Sequence, residues 1–149
     1  MAELNQSLLR EKSDTIARCL MRIKGKIPQT LDLLNADLDS QDIIILNLER
    51  ATQASLDIAT HIIAFQNLKT AATMSDSYVV LCQAGILSHE TTERMKKAVG
   101  MRNLLVHEYT AIDWNIIWKI VQNHLNDYIA FVNEIQNWRH SKTALGIID

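Results

Sequence analysis

Two cysteines, one proline, four glycines and 5% aromatic residues are a small allowance of special residues for a chain of 149. So few turn-forming residues argue against a sandwich or barrel, which needs many turns, and for a few long helices. Cys19 and Cys82 stand far apart with no CxxC, so a disulfide framework or a cysteine metal site is not expected, and a reducing compartment is. No apolar run approaches the ~18–20 residues that span a bilayer, and the opening Met1-Ala2-Glu3-Leu4-Asn5-Gln6 has no signal-type apolar stretch. A cytoplasmic protein without membrane association is expected. The chain also lacks GxSxG, a P-loop, a dinucleotide fingerprint and HExxH.

What is present is 48% hydrophobic residues in a length that buries roughly 70% of its unfolded surface, enough for one core. The net charge of −2 hides an uneven distribution. Arg10, Lys12, Arg18, Arg22, Lys24 and Lys26 cluster near the start. Asp32, Asp37, Asp39, Asp42, Glu49 and Asp57 follow, and Arg94, Lys96, Lys97 and Arg102 form a second basic group. This pattern excludes a whole-protein field of the kind that coats duplex DNA, and leaves room for a local anion-binding cleft.

Apolar spacing predicts a first helix from about residue 5 (Leu8, Leu9, Ile16, Leu20, Ile23, Ile27), broken near Gly25 and Pro28 and resuming over Gln29–Leu34. A second helix from about Gln41 to Phe65, capped by Asp39 or Ser40, carries Ile44, Ile45, Leu48, Ala51, Leu56, Ala59, Ile62 and Ile63 on one stripe. A short helix over Asp76–Ala84 ends at Gly85. Ser88 caps a fourth, reaching about residue 107. Asp113 caps a fifth, from Trp114 to about Asn137, with Ile116, Ile117, Ile120, Val121, Leu125, Ile129 and Val132 as its buried stripe. The tail from about 138 is expected to fray. The fold expected is all-α, a single domain over 1–149 built as an antiparallel bundle of about five helices.

Few residues offer chemistry. His89 and Glu90 lack a second histidine at metal spacing, so no metal site is expected. Asp57 and His61, at i and i+4, are placed to touch as a polar pair beside the core stripe. His124 and His140 show no partner in the sequence. There remains Arg102-Asn103-Leu104-Leu105-Val106-His107-Glu108-Tyr109. With seven arginines and five histidines in the chain, an Arg–His spacing of five carries little weight alone. The phase adds weight. Arg102 falls in the stripe of Met95, Ala98, Val99, Leu105, Val106 and Tyr109, where an arginine is costly unless an acid or a bound phosphate pairs with it.

The segment resembles the RxxxxHxY motif of the HEPN superfamily, specifically the HepT-like toxins of bacterial toxin–antitoxin pairs. The resemblance extends over roughly residues 40–135: Glu49-Arg50-Ala51 through Leu56-Asp57-Ile58-Ala59-Thr60-His61-Ile62-Ile63, then Tyr78 through Gly85-Ile86-Leu87, then Met95 through Asn103, then Ile112-Asp113. It implies a HEPN-like bundle and a metal-independent endoribonuclease that needs no cofactor. Arg102 and His107 are the implied catalytic residues, with Asn103, one turn before His107, in support. RNA brings its own nucleophile, the 2′-hydroxyl, so the protein must move protons and stabilise charge, tasks suited to a histidine near its ordinary pKa and to a guanidinium fork. Positions five apart lie about 140° apart around a helix, so one copy does not complete a site. The resemblance implies an isologous homodimer with a composite cleft. It also implies an antitoxin partner, a minimal nucleotidyltransferase that silences the toxin by transferring AMP to Tyr109. Transfer RNA is favoured over messenger RNA as the substrate, because a net charge of −2 suits a compact folded ligand at a local patch. The alternative is a non-catalytic HEPN module that binds a nucleotide or a protein partner.

Overall fold

The computed structural model describes residues 4–107 and 112–146, with the side chains of all of these except Val106 and His107. Asn5 opens α1 (Gln6–Lys24), its side chain accepting from the Leu8 N–H at 2.9 Å. Leu9, Ile16, Cys19, Leu20 and Ile23 form the buried face. Gly25 and Pro28 separate α1 from α2 (Leu31–Ala36), which Thr30 caps. Helix α3 (Leu38–Phe65) is the longest element and the axis of the bundle; α1, α2, α4, α5 and α7 all pack against it. The whole stripe expected on this helix is buried. Its cap is Asp37, not Asp39 or Ser40: the Asp37 carboxylate accepts from both their N–H groups and, at 2.7 Å, from the Ser40 hydroxyl. Asp37 holds the extended backbone of a cap (φ −103°, ψ 97°), whereas Asp39 and Ser40 already lie in the first helical turn. Ser40 holds the pKa of Asp37 below the usual range, with the Asp39 N–H and Lys26 adding to this.

Helix α4 (Met74–Gln83) closes with a left-handed Gly85 (φ 78°), as its place in the sequence predicts. The Ile86 N–H reaches the Leu81 carbonyl and the Gly85 N–H that of Cys82, satisfying carbonyls that would otherwise be orphaned. Helix α5 (His89–His107) starts at a double cap. The Ser88 hydroxyl accepts from the Thr91 N–H, while the Glu134 carboxylate, distant in sequence, accepts from the Ser88 N–H (2.6 Å) and the Thr91 hydroxyl.

The last long helix is two: α6 (Trp114–Asn123), capped by Asp113, and α7 (Leu125–Ala144). His124, at φ −121° and ψ 4°, interrupts the helix, and its ring nitrogen lies 3.1 Å from Asp127. The break resets the helical phase. Ile117, Val121 and Leu125 are buried as expected, but Ile116 and Ile129 are exposed, and Tyr128, Phe131 and Ile135 face the core instead. Helix α7 continues to Ala144 through residues expected to fray. With α2 and this division, the described residues form seven helices and no strand. None of these helices is long and apolar enough to cross a membrane.

Two buried hydroxyl pairs lock α3 to the elements beside it. The Thr52 hydroxyl donates to the Leu48 carbonyl (2.9 Å), so Tyr128, 2.8 Å away, is the donor to it. In the same way the Ser55 hydroxyl donates to the Thr52 carbonyl and receives the Tyr78 O–H at 2.7 Å. Tyr78 meets Phe131 edge-to-face at 5.7 Å. Burial pushes both phenols up, that of Tyr128 to about 12.

Candidate functional site

Helix α5 carries three of the expected site residues, Arg102, Asn103 and His107. Met95, Val99 and Leu105 fix its inner face in the core, which turns Arg102 toward α3 and the start of α4. There the half-buried guanidinium donates from Nη2 to Gln53 Oε1 at 3.0 Å and from Nη1 to the Met74 sulfur at 3.5 Å. Both acceptors are neutral. Among the described residues no carboxylate forms an ion pair with Arg102. The sequence required an acid or a bound anion for an arginine in this phase. Within the described residues the structure supplies no such acid, only a polar anchor of neutral groups.

Gln53 belongs to a polar row along one edge of α3, with Asp57 and His61 at successive turns. Gln53 Nε2 donates to Asp57 Oδ1 (2.9 Å), and Asp57 Oδ2 pairs with Lys12 of α1 at 3.0 Å. The expected Asp57–His61 contact is replaced: His61 Nε2 accepts the backbone N–H of Asn5 (2.8 Å), at the cap of α1. Accepting there requires the neutral ring, and burial lowers its pKa to match. Asp57 and His61 thus turn to Lys12 and Asn5 near the first helix in place of one another. His124, unpartnered in the sequence reading, faces Asp127.

The basic group on α5 divides. Arg94 is committed to Glu90 (2.6 Å) and Asp127 (3.1 Å), and Lys96 lies 3.4 Å from Glu93. Lys97 borders a cleft of about 500 Å³ between α5 and α6–α7, whose apolar wall includes Met101, Leu104, Ile116 and Ile120. Asn103 is exposed one residue beyond Arg102. His107 is the last residue of α5; its side chain, and the whole of Tyr109, lie outside the described residues. The structure therefore brings Arg102 and Asn103 together on one helix, five and four residues before the helix-ending His107. Sequence reasoning missed Gln53. Its spacing of four from Asp57 was the available signal, but only the fold shows that Arg102 reaches it. Cys19 and Cys82 are both free thiols, and burial raises the pKa of Cys19.

Comparison with known proteins identifies the family. The family model described as "Ribonuclease HepT-like" matches residues 16–135, reaching back into α1, where the sequence resemblance began only near residue 40. The mRNA nuclease HepT of Shewanella oneidensis is 35% identical over 125 residues, covering 84% of this chain and 93% of that protein. The tRNA nuclease HepT of Aphanizomenon flos-aquae is 27% identical over 138 residues, covering 93% and 94%. A solved structure of the tri-AMPylated HEPN toxin of Shewanella oneidensis in complex with its MNT antitoxin superposes with a TM-score of 0.84 at 33% identity, over 89% of this chain and 99% of that one. A family match over residues 16–135, running through nearly all the helices, and a relative 35% identical over 93% of its own length place the chain in the HepT-like ribonuclease family.

Proposed function

We propose that this protein is the toxin of a toxin–antitoxin pair, an endoribonuclease that cuts cellular RNA without a metal ion. The observation that carries the reading is Arg102, a guanidinium anchored by neutral groups on the helix that ends at His107. Its charge stays available to a phosphate whose negative charge grows as the 2′-hydroxyl attacks. His107 moves the proton, taking it from the 2′-hydroxyl or giving it to the departing 5′-oxygen. Asn103 supports the histidine from one turn earlier on the helix. One histidine does not perform both transfers at once, and a twofold dimer that apposes two such segments supplies two. Leu104 and Ile116, 53% and 50% exposed beside this region, offer the apolar surface that such a partner copy would cover.

Transfer RNA is the favoured substrate, since the free cationic groups are local and the chain as a whole is mildly acidic. The relatives are named for both RNA classes, so cleavage-site mapping on total cellular RNA decides between them. Control falls to a nucleotidyltransferase antitoxin that transfers AMP from ATP to Tyr109; a tri-AMPylated relative bound to its antitoxin supports this reading. The added phosphodiester charge and the adenine silence the cleft by repulsion and occlusion.

Purified His107→Ala is expected to lose RNA cleavage while keeping its helical circular dichroism and its oligomeric state. Undiminished cleavage would overturn the assignment. Tyr109→Phe is expected to keep cutting in the presence of antitoxin and ATP, with no AMP in its intact mass. AMP still present on that variant would exclude Tyr109 as the acceptor.

A further inference from the structure

An arginine side chain only donates hydrogen bonds and an ionised aspartate only accepts them. Gln53 stands between one of each, with Oε1 toward Arg102 (3.0 Å) and Nε2 toward Asp57 (2.9 Å). The amide therefore has one permitted orientation; turned over, it would set its NH₂ against the guanidinium and its oxygen against the carboxylate. Lys12, 3.0 Å from the other oxygen of Asp57, compensates that carboxylate. Along the row Lys12–Asp57–Gln53–Arg102 the first two charges cancel and the last does not. A glutamate at 53 would reach as far but would form an ion pair, and an RNA phosphate would then have to compete for the fork. An amide supplies direction without cancelling charge.

We infer that Gln53 is a positioning residue for Arg102, orienting the guanidinium across the α3–α5 gap while leaving its full charge for the scissile phosphate. The inference rests on the nuclease reading above and adds to it a residue outside the RxxxxH segment. Asp57 and Lys12 act one step further back, by fixing which way the amide faces. Gln53 is exposed, so its contribution lies in the aim of Arg102 and not in holding the bundle together.

The test is a double-substitution cycle on the full chain, assayed on the RNA that the wild type cuts, with thermal melting alongside. Gln53→Ala is expected to lower kcat by about 10- to 100-fold, the cost of misplacing a group by an ångström or so, with little change in Tm. In an Arg102→Ala background the same substitution is expected to change nothing further, because its effect passes through that arginine. Gln53→Glu is expected to raise KM near pH 8, with its activity relative to wild type climbing as the pH falls and the protonated carboxyl comes to mimic the amide. Equal losses from Gln53→Ala in both backgrounds, or a relative activity of Gln53→Glu that ignores pH, would overturn the inference. Absence of RNA cleavage by the wild type would instead overturn the nuclease reading. The anchor is then judged alone by NMR: loss of order at the Arg102 Nε–H in Gln53→Ala upholds it, and unchanged order refutes it.

Discussion

Arg94 and Arg102 lie about two turns apart on the same helix and do opposite work. Arg94 meets two carboxylates, the exposed Glu90 and the buried Asp127, whose side chain is only 7% exposed. Its charge is consumed in making Asp127 tolerable inside the bundle. Arg102 meets an amide and a thioether, and within the described residues its charge is consumed by nothing. The same residue type becomes a structural tie or a poised cation according to whether its partner carries charge. Proximity of an acidic side chain, more than burial, separates the two roles.

Substitutions at these two positions sharpen the contrast. The largest effect is expected for Arg102→Ala in RNA cleavage: a fall of about 10²–10³-fold, or about 3–4 kcal/mol of transition-state stabilisation, with Tm close to wild type. A loss confined to stability would make Arg102 a second Arg94. Next comes Arg94→Ala, expected to lower the unfolding free energy by about 1–2 kcal/mol in a urea titration while cleavage is retained. The value stays modest because half of the arginine is in solvent and His124 remains beside Asp127. Abolished cleavage in that variant would erase the distinction.

The smallest effect concerns His61, the other member of the α3 row that works as a neutral partner. Its folded pKa lies below the ordinary 6.5 because of burial. Below 6.5 the unfolded chain takes up the proton first, so this group's contribution to stability is present at neutral pH and is lost as the pH falls from 6.5 through the lower folded value. Urea midpoints measured from pH 7.5 down to 5 should therefore decline less steeply for His61→Gln than for wild type. Identical slopes would show that the Asn5–His61 bond does not sense acid.

Legibility from the sequence followed how local each cause was. Helix α3 was readable because an uninterrupted stripe at helical spacing has only one way to be buried. Gly85 was readable because a left-handed helix end calls for glycine. The division of the last helix was not: no glycine or proline marks residue 124, and the interruption shows mainly in the core preferring Tyr128 and Phe131 over Ile129. The cap of α3 was misplaced by two or three residues for a similar reason, since Asp37, Asp39 and Ser40 all qualify until the backbone chooses among them. At the site, the phase of Arg102 on α5 was visible, but the acid expected beside it is not among the described partners of this half-exposed side chain. Its partner was not visible, because Gln53 is 49 positions away and carries no charge to advertise a pairing.

The two buried hydroxyl pairs, Thr52–Tyr128 and Ser55–Tyr78, impose a rule on how this core can change over evolutionary time. Each tyrosine donates to a small hydroxyl that has already given its own proton to a carbonyl. Removing the small partner alone strands a phenolic O–H in a dry interior, a change costing about 1–3 kcal/mol. Removing both together, as with Thr52→Val and Tyr128→Phe, leaves apolar groups of nearly the same shape and should come close to neutral. Drift at these positions is therefore epistatic. The acceptable sequences are separated by less stable intermediates, so lineages sharing this bundle should carry each pair either intact or jointly replaced.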